Sequence, residues 1–171
     1  MAGFRTVRSG ERVTNTATSE ITYRPATADD LSAVEDLLTI TNLPVDGVKD
    51  SIESFVVAES GGHVVGVGGV ELCGDYGLLR SIAVDPATRG RGVGAAMTEI
   101  LIAASEATGL RALYLLTTTA ENYFPSFGFD KTPRETVPLQ IQQTAEFSDI
   151  CPSSATVMRR PLGMWQSAAG E

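Results

Sequence analysis

The segment Arg89-Gly90-Arg91-Gly92-Val93-Gly94 constrains the fold of this chain more than any other. It follows an apolar run over 78–84 and the breaker Asp85-Pro86, and it precedes a long helical pattern with apolar residues on one face. Glycines at such a junction let the main chain approach a ligand closely, and a helix N-terminus directs several N–H groups at it. The pattern therefore predicts a strand, a tight turn and a helix that bind an anion together, and a pyrophosphate suits that site best.

The glycine spacing differs from that of two familiar phosphate-binding motifs. The glycines fall at 90, 92 and 94, so they do not match the dinucleotide pattern G-x-G-x-x-G, and the Gly-Lys-Ser/Thr of a P-loop is absent. On spacing alone, a glycine-rich turn that binds no ligand stays an open alternative.

Composition restricts the class of protein further. The 171 residues are 43% hydrophobic and 20% charged, as expected for one globular domain with a sizeable core. The net charge of -8 argues against a nucleic-acid partner, which requires a basic face. No apolar run approaches the roughly 18 residues of a membrane span, so we expect no membrane partner.

The cysteines and the histidine predict no metal site. Cys73 and Cys151 lack metal-ligand spacing, and His63 is expected in a surface turn beside two glycines. Two cysteines without a disulfide pattern favour free thiols and a cytoplasmic protein. Residues 1–19 carry no hydrophobic signal segment, and we expect mobile tails at 1–19 and 163–171 around a single domain at 20–162.

Strand and helix patterns alternate between the two tails. A helix capped by Thr27 should bury Leu31, Val34, Leu37 and Leu38. The predicted strands cover about 21–24, 55–59, 64–72, 76–84, 111–117, a segment after Gly128-Phe129, and 154–159, and the other predicted helices cover about 48–53, 91–108 and 120–124. The order of these elements indicates a mixed α/β domain with one central sheet.

The chain resembles the GNAT acetyltransferase superfamily over about residues 21–161. The likeness lies in Arg89-x-x-Gly92-x-Gly94 after an apolar strand ending at Val84-Asp85-Pro86, followed by the aromatic pair Tyr123-Phe124 and Gly128-Phe129. This resemblance implies an α/β GNAT-like fold, with a central mixed, mostly antiparallel sheet and helices on both faces. It also implies acetyl-CoA as the acetyl donor.

A narrower likeness points to a subfamily. Residues 78–84, 114–121 and 146–152 resemble the N-acetyltransferases associated with arsenic resistance, relatives of enzymes that acetylate phosphinothricin-like and arsinothricin-like amino acids. That likeness implies that the amine acceptor is a small, amino acid-like molecule. In the resistance enzymes this molecule contains arsenic or phosphorus.

The GNAT resemblance also implies which residues bind the donor. The pyrophosphate would lie on the amides of about Arg91 to Gly94, with Arg89 holding the turn, and the backbone of Ile82–Val84 would pair with the pantetheine arm like an added strand. The acetyl group would lie where the strands at 78–84 and 111–117 separate. The implied donor-binding residues are Ile82, Ala83, Val84, Arg89, Gly90, Arg91, Gly92, Val93, Gly94 and Phe124.

Acetyl transfer to an amine requires a base, an oxyanion donor and a way for the thiolate to leave. We nominate Glu71 as the base, acting through water, with a solvated strand-edge carboxylate as the alternative. A backbone N–H near Ile82 or Ala83 would serve the oxyanion. In the GNAT family a tyrosine commonly lies four residues before the glycine of Gly-Phe, and here that position is Phe124. If the segment is helical, the side chain of the neighbouring Tyr123 is rotated by about 100° from that position. Tyr123 is therefore either the acid or a packed aromatic residue, in which case water protonates the thiolate.

Arg80 is the main candidate for acceptor binding. A charged residue in an apolar strand is costly unless it is paired, so Arg80 either grips an acceptor carboxylate or forms a structural ion pair with Glu71. Hydroxyls of Thr117, Thr118 and Thr119 could add contacts, or could only cap the next turn. The Leu43–Val48 loop is expected to cover the acceptor.

Two other functions remain open on the sequence. Displacement of the tyrosine fits a non-catalytic module that senses acyl-CoA, and an open groove would fit acetylation of proteins or peptides. A homodimer is an additional expectation, because GNAT-like domains often pair.

Overall fold

A computed structural model describes residues 20–150 and 153–163 of the chain. The tail predicted at 1–19, the part of the second tail beyond Gly163, and Cys151 lie outside the described residues.

Seven strands form one sheet in the order β1-β2-β3-β4-β5-β7-β6. Among the strands of the described residues, only β4 and β5 pair in parallel, so the predicted mixed and mostly antiparallel sheet is confirmed. The strands are β1 (Ile21–Pro25), β2 (Phe55–Ser60), β3 (His63–Cys73), β4 (Tyr76–Val84), β5 (Ala112–Thr117), β6 (Asp130–Lys131) and β7 (Thr156–Pro161).

Two longer helices and several short ones connect the strands. The α-helices are α1 (Leu31–Ile40), α2 (Val48–Ser51), α3 (Val93–Ala107) and α4 (Leu139–Gln142). Short 3₁₀ turns cover Ala28–Asp30, Ile52–Ser54, Pro86–Thr88, Phe124–Phe127 and Arg134–Thr136, and Glu146–Ile150 forms a π-helical turn. Of the helices in the described part of the chain, none combines the length and apolarity needed to cross a membrane.

The two long helices pack on opposite faces of the sheet. Val56 packs against the apolar cluster that contains Leu101 and Ile102 of α3, whereas Val57 belongs to the cluster that contains Val34 and Leu38 of α1. Because successive side chains of a strand point to opposite faces, the two helices cover different sides of β2. The predicted helices on both faces are thus confirmed.

The helix predicted over Ala120–Phe124 is wrong. Residues 121–123 form a turn, and a 3₁₀ helix follows at Phe124–Phe127 with Pro125 in its first turn. Proline favours a helical start because it lacks an N–H group that would be unpaired there, so it shifts the helix towards the C-terminus.

Thr27 caps its helix as predicted, but through a 3₁₀ turn. Its hydroxyl accepts a hydrogen bond from the Asp29 amide, and the Asp30 carboxylate accepts one from the Thr27 amide, which completes a capping box. Helix α1 then begins at Leu31.

Two irregularities in β4 shape the middle of the sheet. Strand β4 pairs with β5 only at Tyr76, Gly77 and Leu78, and the two strands separate beyond that point. Val67 of β3 faces Ala83, whereas Gly69 faces Arg80, so β4 carries one extra residue between them. This β-bulge re-aims the side chains of β4 where the sheet opens.

Candidate active site

The larger of two adjoining cavities lies beside the glycine turn and has a volume of about 600 Å³. It is lined by Thr41, Leu43, Ile82, Ala83, Val84, Arg89, Gly90, Gly92, Val93, Gly94, Ala95 and Tyr123. Most of the residues predicted to bind the donor therefore share one cavity, which we call the donor cavity. Of the other two, Arg91 is exposed in the same turn and Phe124 lines the neighbouring cavity.

The start of α3 fits an anionic ligand. Gly92 caps this helix with a φ of 77°, and a β-carbon at Gly92 or Gly90 would meet no other atom within 4 Å. A glycine cap has no side chain to accept the first helical N–H groups, and Gly92, Val93, Gly94 and Ala95 all line the donor cavity. The Arg89 side chain donates a hydrogen bond of 3.3 Å to the Val84 carbonyl, which holds the turn against the end of β4.

A smaller cavity of about 250 Å³ opens where β4 and β5 separate. It is lined by Leu43, Leu79, Arg80, Ser81, Ile82, Leu115, Leu116, Thr117, Thr119, Ala120, Tyr123 and Phe124. Leu43, Ile82 and Tyr123 also line the donor cavity, so the two cavities meet at these side chains. We call the smaller one the acceptor cavity.

Arg80 is 4% exposed and is surrounded by oxygen atoms. Its Nη2 donates to the Asp46 carbonyl at 2.7 Å, and its Nη1 donates to Glu71 Oε1 at 3.4 Å. Its Nε donates to Ser81 Oγ at 3.0 Å. The structure therefore contains the ion pair with Glu71 that was one of the two sequence alternatives. It also ties Arg80 to the 43–48 loop, while Arg80 still lines the acceptor cavity.

Glu146 joins this cluster, although the sequence did not single it out. Its Oε1 lies 3.6 Å from Arg80 Nε, and the residue is 6% exposed. Burial raises the pKa of Glu146, while the Arg80 charge acts in the opposite direction and Glu71 adds to the rise. The contact spans a large separation along the chain, so no local sequence pattern could have revealed it.

Glu71, the candidate base, is partly accessible and lies beside the acceptor end of the site. Its side chain is 29% exposed, and in the β3–β4 register it faces Leu78, the last β4 residue that pairs with β5. Glu71 does not line either of the two cavities directly, so a proton from an acceptor in the cavity would reach it through water or through a side-chain movement.

Tyr123 borders both cavities, and its hydroxyl lies near the first turn of α3. A β-carbon at Gly94 would lie 3.6 Å from Tyr123 Oη, so glycine leaves room for the tyrosine. Burial raises the pKa of Tyr123, and a hydrogen bond with Thr98 opposes that rise. The phenol therefore stays protonated at neutral pH. Phe124 is buried instead and packs edge-on against Phe129.

The three threonines at the end of β5 lie in different environments. Thr117 and Thr119 line the acceptor cavity, whereas Thr118 is exposed and does not line it. The Thr117 hydroxyl accepts hydrogen bonds from the Ala120 amide at 2.8 Å and from the Thr119 amide at 3.3 Å. Thr117 therefore caps the following turn, as one sequence alternative required, and its hydroxyl can still donate to a ligand.

Part of the chain is similar to known acetyltransferases. Residues 51–131 match the family model described as an acetyltransferase (GNAT) domain. An amino-acid acetyltransferase of Mycobacterium tuberculosis is 36% identical over 108 residues, which cover 61% of this chain and 59% of that protein. The chain thus spans less than two thirds of the length of this relative.

Solved structures share the fold. A crystal structure of a Mycobacterium tuberculosis protein in complex with CoA has a TM-score of 0.68 and 24% identity, and the match covers 83% of this chain and 99% of that one. N-acetylglutamate synthase from Neisseria gonorrhoeae, complexed with coenzyme A and N-acetyl-glutamate, has a TM-score of 0.72 and 18% identity, over 85% of this chain and 36% of that one. The chain therefore has the GNAT fold, and its residues 51–131 resemble the GNAT acetyltransferase domain.

Proposed function

We propose that this protein transfers an acetyl group from acetyl-CoA to the amine of a small, amino acid-like molecule. The observation that carries the proposal is the meeting of two cavities at the β4 bulge, one beside a helix N-terminus and the other beside Arg80. The similarity to an amino-acid acetyltransferase supports the same class of acceptor.

The donor cavity has the chemistry that a CoA ester needs. When bound, acetyl-CoA supplies an activated thioester. The amides at the start of α3 bind the pyrophosphate, and the Arg89 and Arg91 side chains place positive charge in the same turn. The backbone of Ile82–Val84 lines the cavity and pairs with the amide-bearing arm of the donor, as an edge strand pairs with a peptide.

Residues at the junction of the cavities perform the chemistry in this proposal. Glu71 accepts the proton of the acceptor ammonium through water, which leaves the amine nucleophilic. A backbone N–H at Ile82 or Ala83, beside the bulge, donates to the oxygen that becomes negative during the transfer. Tyr123 borders both cavities and donates to the departing thiolate, or water performs this role.

The acceptor cavity suits an amine that also carries a carboxylate. Arg80 lines this cavity, and its hydrogen bond to the partly exposed Glu71, at 3.4 Å, is longer than those to Ser81 and the Asp46 carbonyl. An acceptor carboxylate can therefore compete for that edge of the guanidinium. Thr117 and Thr119 add hydroxyls to the cavity wall, and Thr118 lies beside them. The likeness to arsenic-resistance N-acetyltransferases names arsinate- and phosphinate-bearing amino acids as acceptors within this class, and that finer part of the proposal rests on sequence resemblance alone.

The test is to incubate the full chain with acetyl-CoA and a panel of amines. The panel contains proteinogenic amino acids, their decarboxylated amines, and amino acids with an arsinate or phosphinate group. Released CoA thiol is followed together with the acetylated product by mass spectrometry. We expect turnover with carboxylate-bearing acceptors and much less with the decarboxylated amines.

Two outcomes would contradict the proposal in different ways. Tight CoA binding without turnover on any amine would identify a non-catalytic acyl-CoA sensor. Turnover only on peptide N-termini or lysine side chains would identify a protein acetyltransferase.

A further inference from the structure

Ser81 has a backbone conformation that its residue type disfavours. Its φ is 62°, and among the described residues Asn42 is the only other non-glycine residue with a positive φ. Asparagine tolerates this region, whereas for serine the β-carbon is crowded there and glycine would remove the strain. Strained residues of this kind cluster at functional sites, where the surrounding structure holds them in place.

The strain falls where the two cavities meet. Ser81 belongs to the bulge of β4, it lines the acceptor cavity, and the next residue, Ile82, lines both cavities. In the function proposed above, the backbone from Ile82 to Val84 holds the pantetheine arm. The thioester at the end of that arm then lies beside Ser81.

The Ser81 hydroxyl is oriented by a fixed cation. Arg80 Nε donates to Ser81 Oγ at 3.0 Å, and Arg80 is itself fixed by the Asp46 carbonyl and Glu71. A hydroxyl has one hydrogen to donate and two lone pairs, so accepting from Arg80 leaves its O–H free to donate. The adjacent positive charge polarises the hydroxyl and strengthens it as a donor.

Tyr123, the other hydroxyl at the junction, is placed differently. Its Oη lies beside Gly94 in the first turn of α3 and interacts with Thr98 of the same helix. The Tyr123 hydroxyl therefore faces the helical side of the donor cavity, whereas Ser81 lies on the strand side where β4 and β5 separate.

We propose that Ser81 is a catalytic residue whose hydroxyl donates a hydrogen bond to the donor sulfur as the thioester breaks. The inference rests on the proposed acetyl transfer. The amine nitrogen forms a bond to the acetyl carbon, and the electron pair of the C–S bond leaves on sulfur as a thiolate. Glu71 takes the ammonium proton through water before the attack, and the second proton leaves the nitrogen to water as the amide forms. Ser81 keeps its own proton, because an alcohol is a far weaker acid than a thiol, and it stabilises the thiolate by hydrogen bonding alone.

A first experiment needs no acceptor. CoA is bound stoichiometrically to the full chain, and the thiolate absorbance in the ultraviolet is followed during a pH titration. We expect the bound thiol to have a lower pKa than free CoA. We expect Ser81→Gly to raise that pKa by roughly one to two units, the size of a hydrogen bond to a charged group. Ser81→Gly removes the backbone strain but also the acceptor of the Arg80 Nε hydrogen bond, so these two changes oppose each other and the variant should unfold in urea close to the wild type.

A second experiment separates the hydroxyl from the strain. Ser81→Gly and Ser81→Ala should lower kcat by roughly 10- to 100-fold while the KM of the acceptor changes little. Ser81→Thr keeps a hydroxyl but adds a branched side chain at positive φ, so it should be less stable than Ser81→Gly and yet faster. A purely structural role would make the more stable variant the more active one. If Ser81→Thr does not fold, the equal rate loss of the Gly and Ala variants, which differ in strain, carries the test.

The outcomes discriminate between the two proposals. An unchanged thiol pKa and an unchanged kcat in Ser81→Gly would overturn the role of Ser81. If the pKa of the bound CoA thiol rises in Tyr123→Phe but not in Ser81→Gly, the tyrosine is the residue that donates to the sulfur. That result would also overturn the role of Ser81. If Ser81→Gly raises the pKa but the wild type acetylates no amine, the Ser81 contact is upheld and the proposed transfer fails. Absence of CoA binding in the wild type would overturn both.

Discussion

The guanidinium of Arg80 and the carboxylate of Glu71 form an ion pair between neighbouring strands, with Nη1 and Oε1 3.4 Å apart. A second carboxylate, Glu146, approaches the same guanidinium at 3.6 Å. Because Arg80 and Glu146 are both buried, one cation offsets two carboxylates on this face of the sheet. The charge of Arg80 therefore affects both the acceptor cavity and the stability of the fold.

Removing the Arg80 charge should destabilise the protein strongly. Arg80→Gln leaves Glu146 buried without its cation, and breaking a buried pair from one side costs roughly 3–5 kcal/mol. The partial exposure of Glu71 places the expected loss at the lower end, about 3 kcal/mol in the free energy of unfolding. Urea denaturation followed by circular dichroism measures this change.

The double variant Arg80→Gln/Glu146→Gln provides the internal check. It removes the buried carboxylate that Arg80→Gln leaves without a cation, so it should regain part of the lost free energy of unfolding. Lys131 serves as the matched control, since its ion pair with Glu121 is exposed. Lys131→Gln should leave the unfolding transition close to that of the wild type. Wild-type stability in Arg80→Gln would show that the cluster is not the electrostatic unit described above.

Glu71→Gln should slow acetyl transfer without weakening donor binding. In the proposed mechanism Glu71 accepts the amine proton, and loss of a general base lowers kcat by roughly 10²- to 10⁴-fold. The donor cavity is not lined by Glu71, so the affinity for CoA should be unchanged in calorimetry. The rate loss should shrink at high pH, where the acceptor amine loses its proton without help.

Glu59 provides a matched control for this substitution. It is also a partly exposed glutamate in a strand, with a side chain 30% accessible, and it pairs with Arg24 at 3.3 Å. Glu59→Gln should therefore repeat the loss of an ion pair without the loss of rate. Equal rates in the wild type and Glu71→Gln would remove Glu71 from the mechanism and leave it as a partner of Arg80.

The sequence predicted the strands, turns and long helices well, because these elements depend on the types of neighbouring residues. The glycine turn at 89–94, the strand at 76–84 and the helix after Gly92 each follow from neighbouring residue types, and the structure contains all three. The helix predicted over 120–124 is displaced to Phe124–Phe127, because Pro125 favours the start of a helical turn over its end.

The candidate site depends more on contacts that are distant in sequence. Glu146 meets Arg80 only because the π-helical turn folds back onto the sheet, which no periodicity reports. The bulge that strains Ser81 depends on the register between β3 and β4. Residue types thus indicated Arg80 and Glu71 and offered their ion pair as one of two alternatives, whereas the third member, Glu146, required tertiary structure.

Asp30 should make the stability pH-dependent in the acid range. Its carboxylate accepts two hydrogen bonds of 2.8 Å from Arg24 and one from the Thr27 amide, and burial opposes them. The hydrogen bonds from Arg24 are the largest cause that lowers the pKa of Asp30 from 3.8 to about 2. A lowered pKa in the folded state means that the stabilisation is present above about pH 4 and is lost as the pH falls through about 2.

Asp30→Asn tests that linkage. At neutral pH it should cost roughly 1–2 kcal/mol, less than the full shift implies because Arg24 is 37% exposed and screened by solvent. Near pH 2 the variant and the wild type should differ little in urea unfolding. Asp29→Asn, at the exposed neighbour in the same turn, is the control and should not show this convergence. If the difference in unfolding free energy between Asp30→Asn and the wild type stays constant from neutral pH to about pH 2, the charge of Asp30 contributes nothing to stability.

Gly92 and Gly61 allow donor binding to be separated from backbone strain. Both glycines have positive φ, 77° and 59°, and a β-carbon at either would meet no other atom within 4 Å. Alanine should therefore lower the free energy of unfolding by a similar amount at each site, roughly 1–2 kcal/mol, because both glycines have left-handed backbone conformations. Of these two glycines, only Gly92 lines the donor cavity, and an alanine side chain there would turn or cover the first amides of α3. Gly61 lies in the β2–β3 hairpin.

Gly92→Ala should therefore weaken CoA binding at least 10-fold in calorimetry, about the free energy of one charge-assisted hydrogen bond, while Gly61→Ala should leave it unchanged. Raising the salt concentration should reduce the affinity of the wild type more than that of Gly92→Ala, since the lost contacts are to an anion. Equal CoA affinities in the two variants would mean that the α3 amides do not bind the pyrophosphate. The donor would then have to lie elsewhere, and the cavity beside the glycine turn would lose its assigned role.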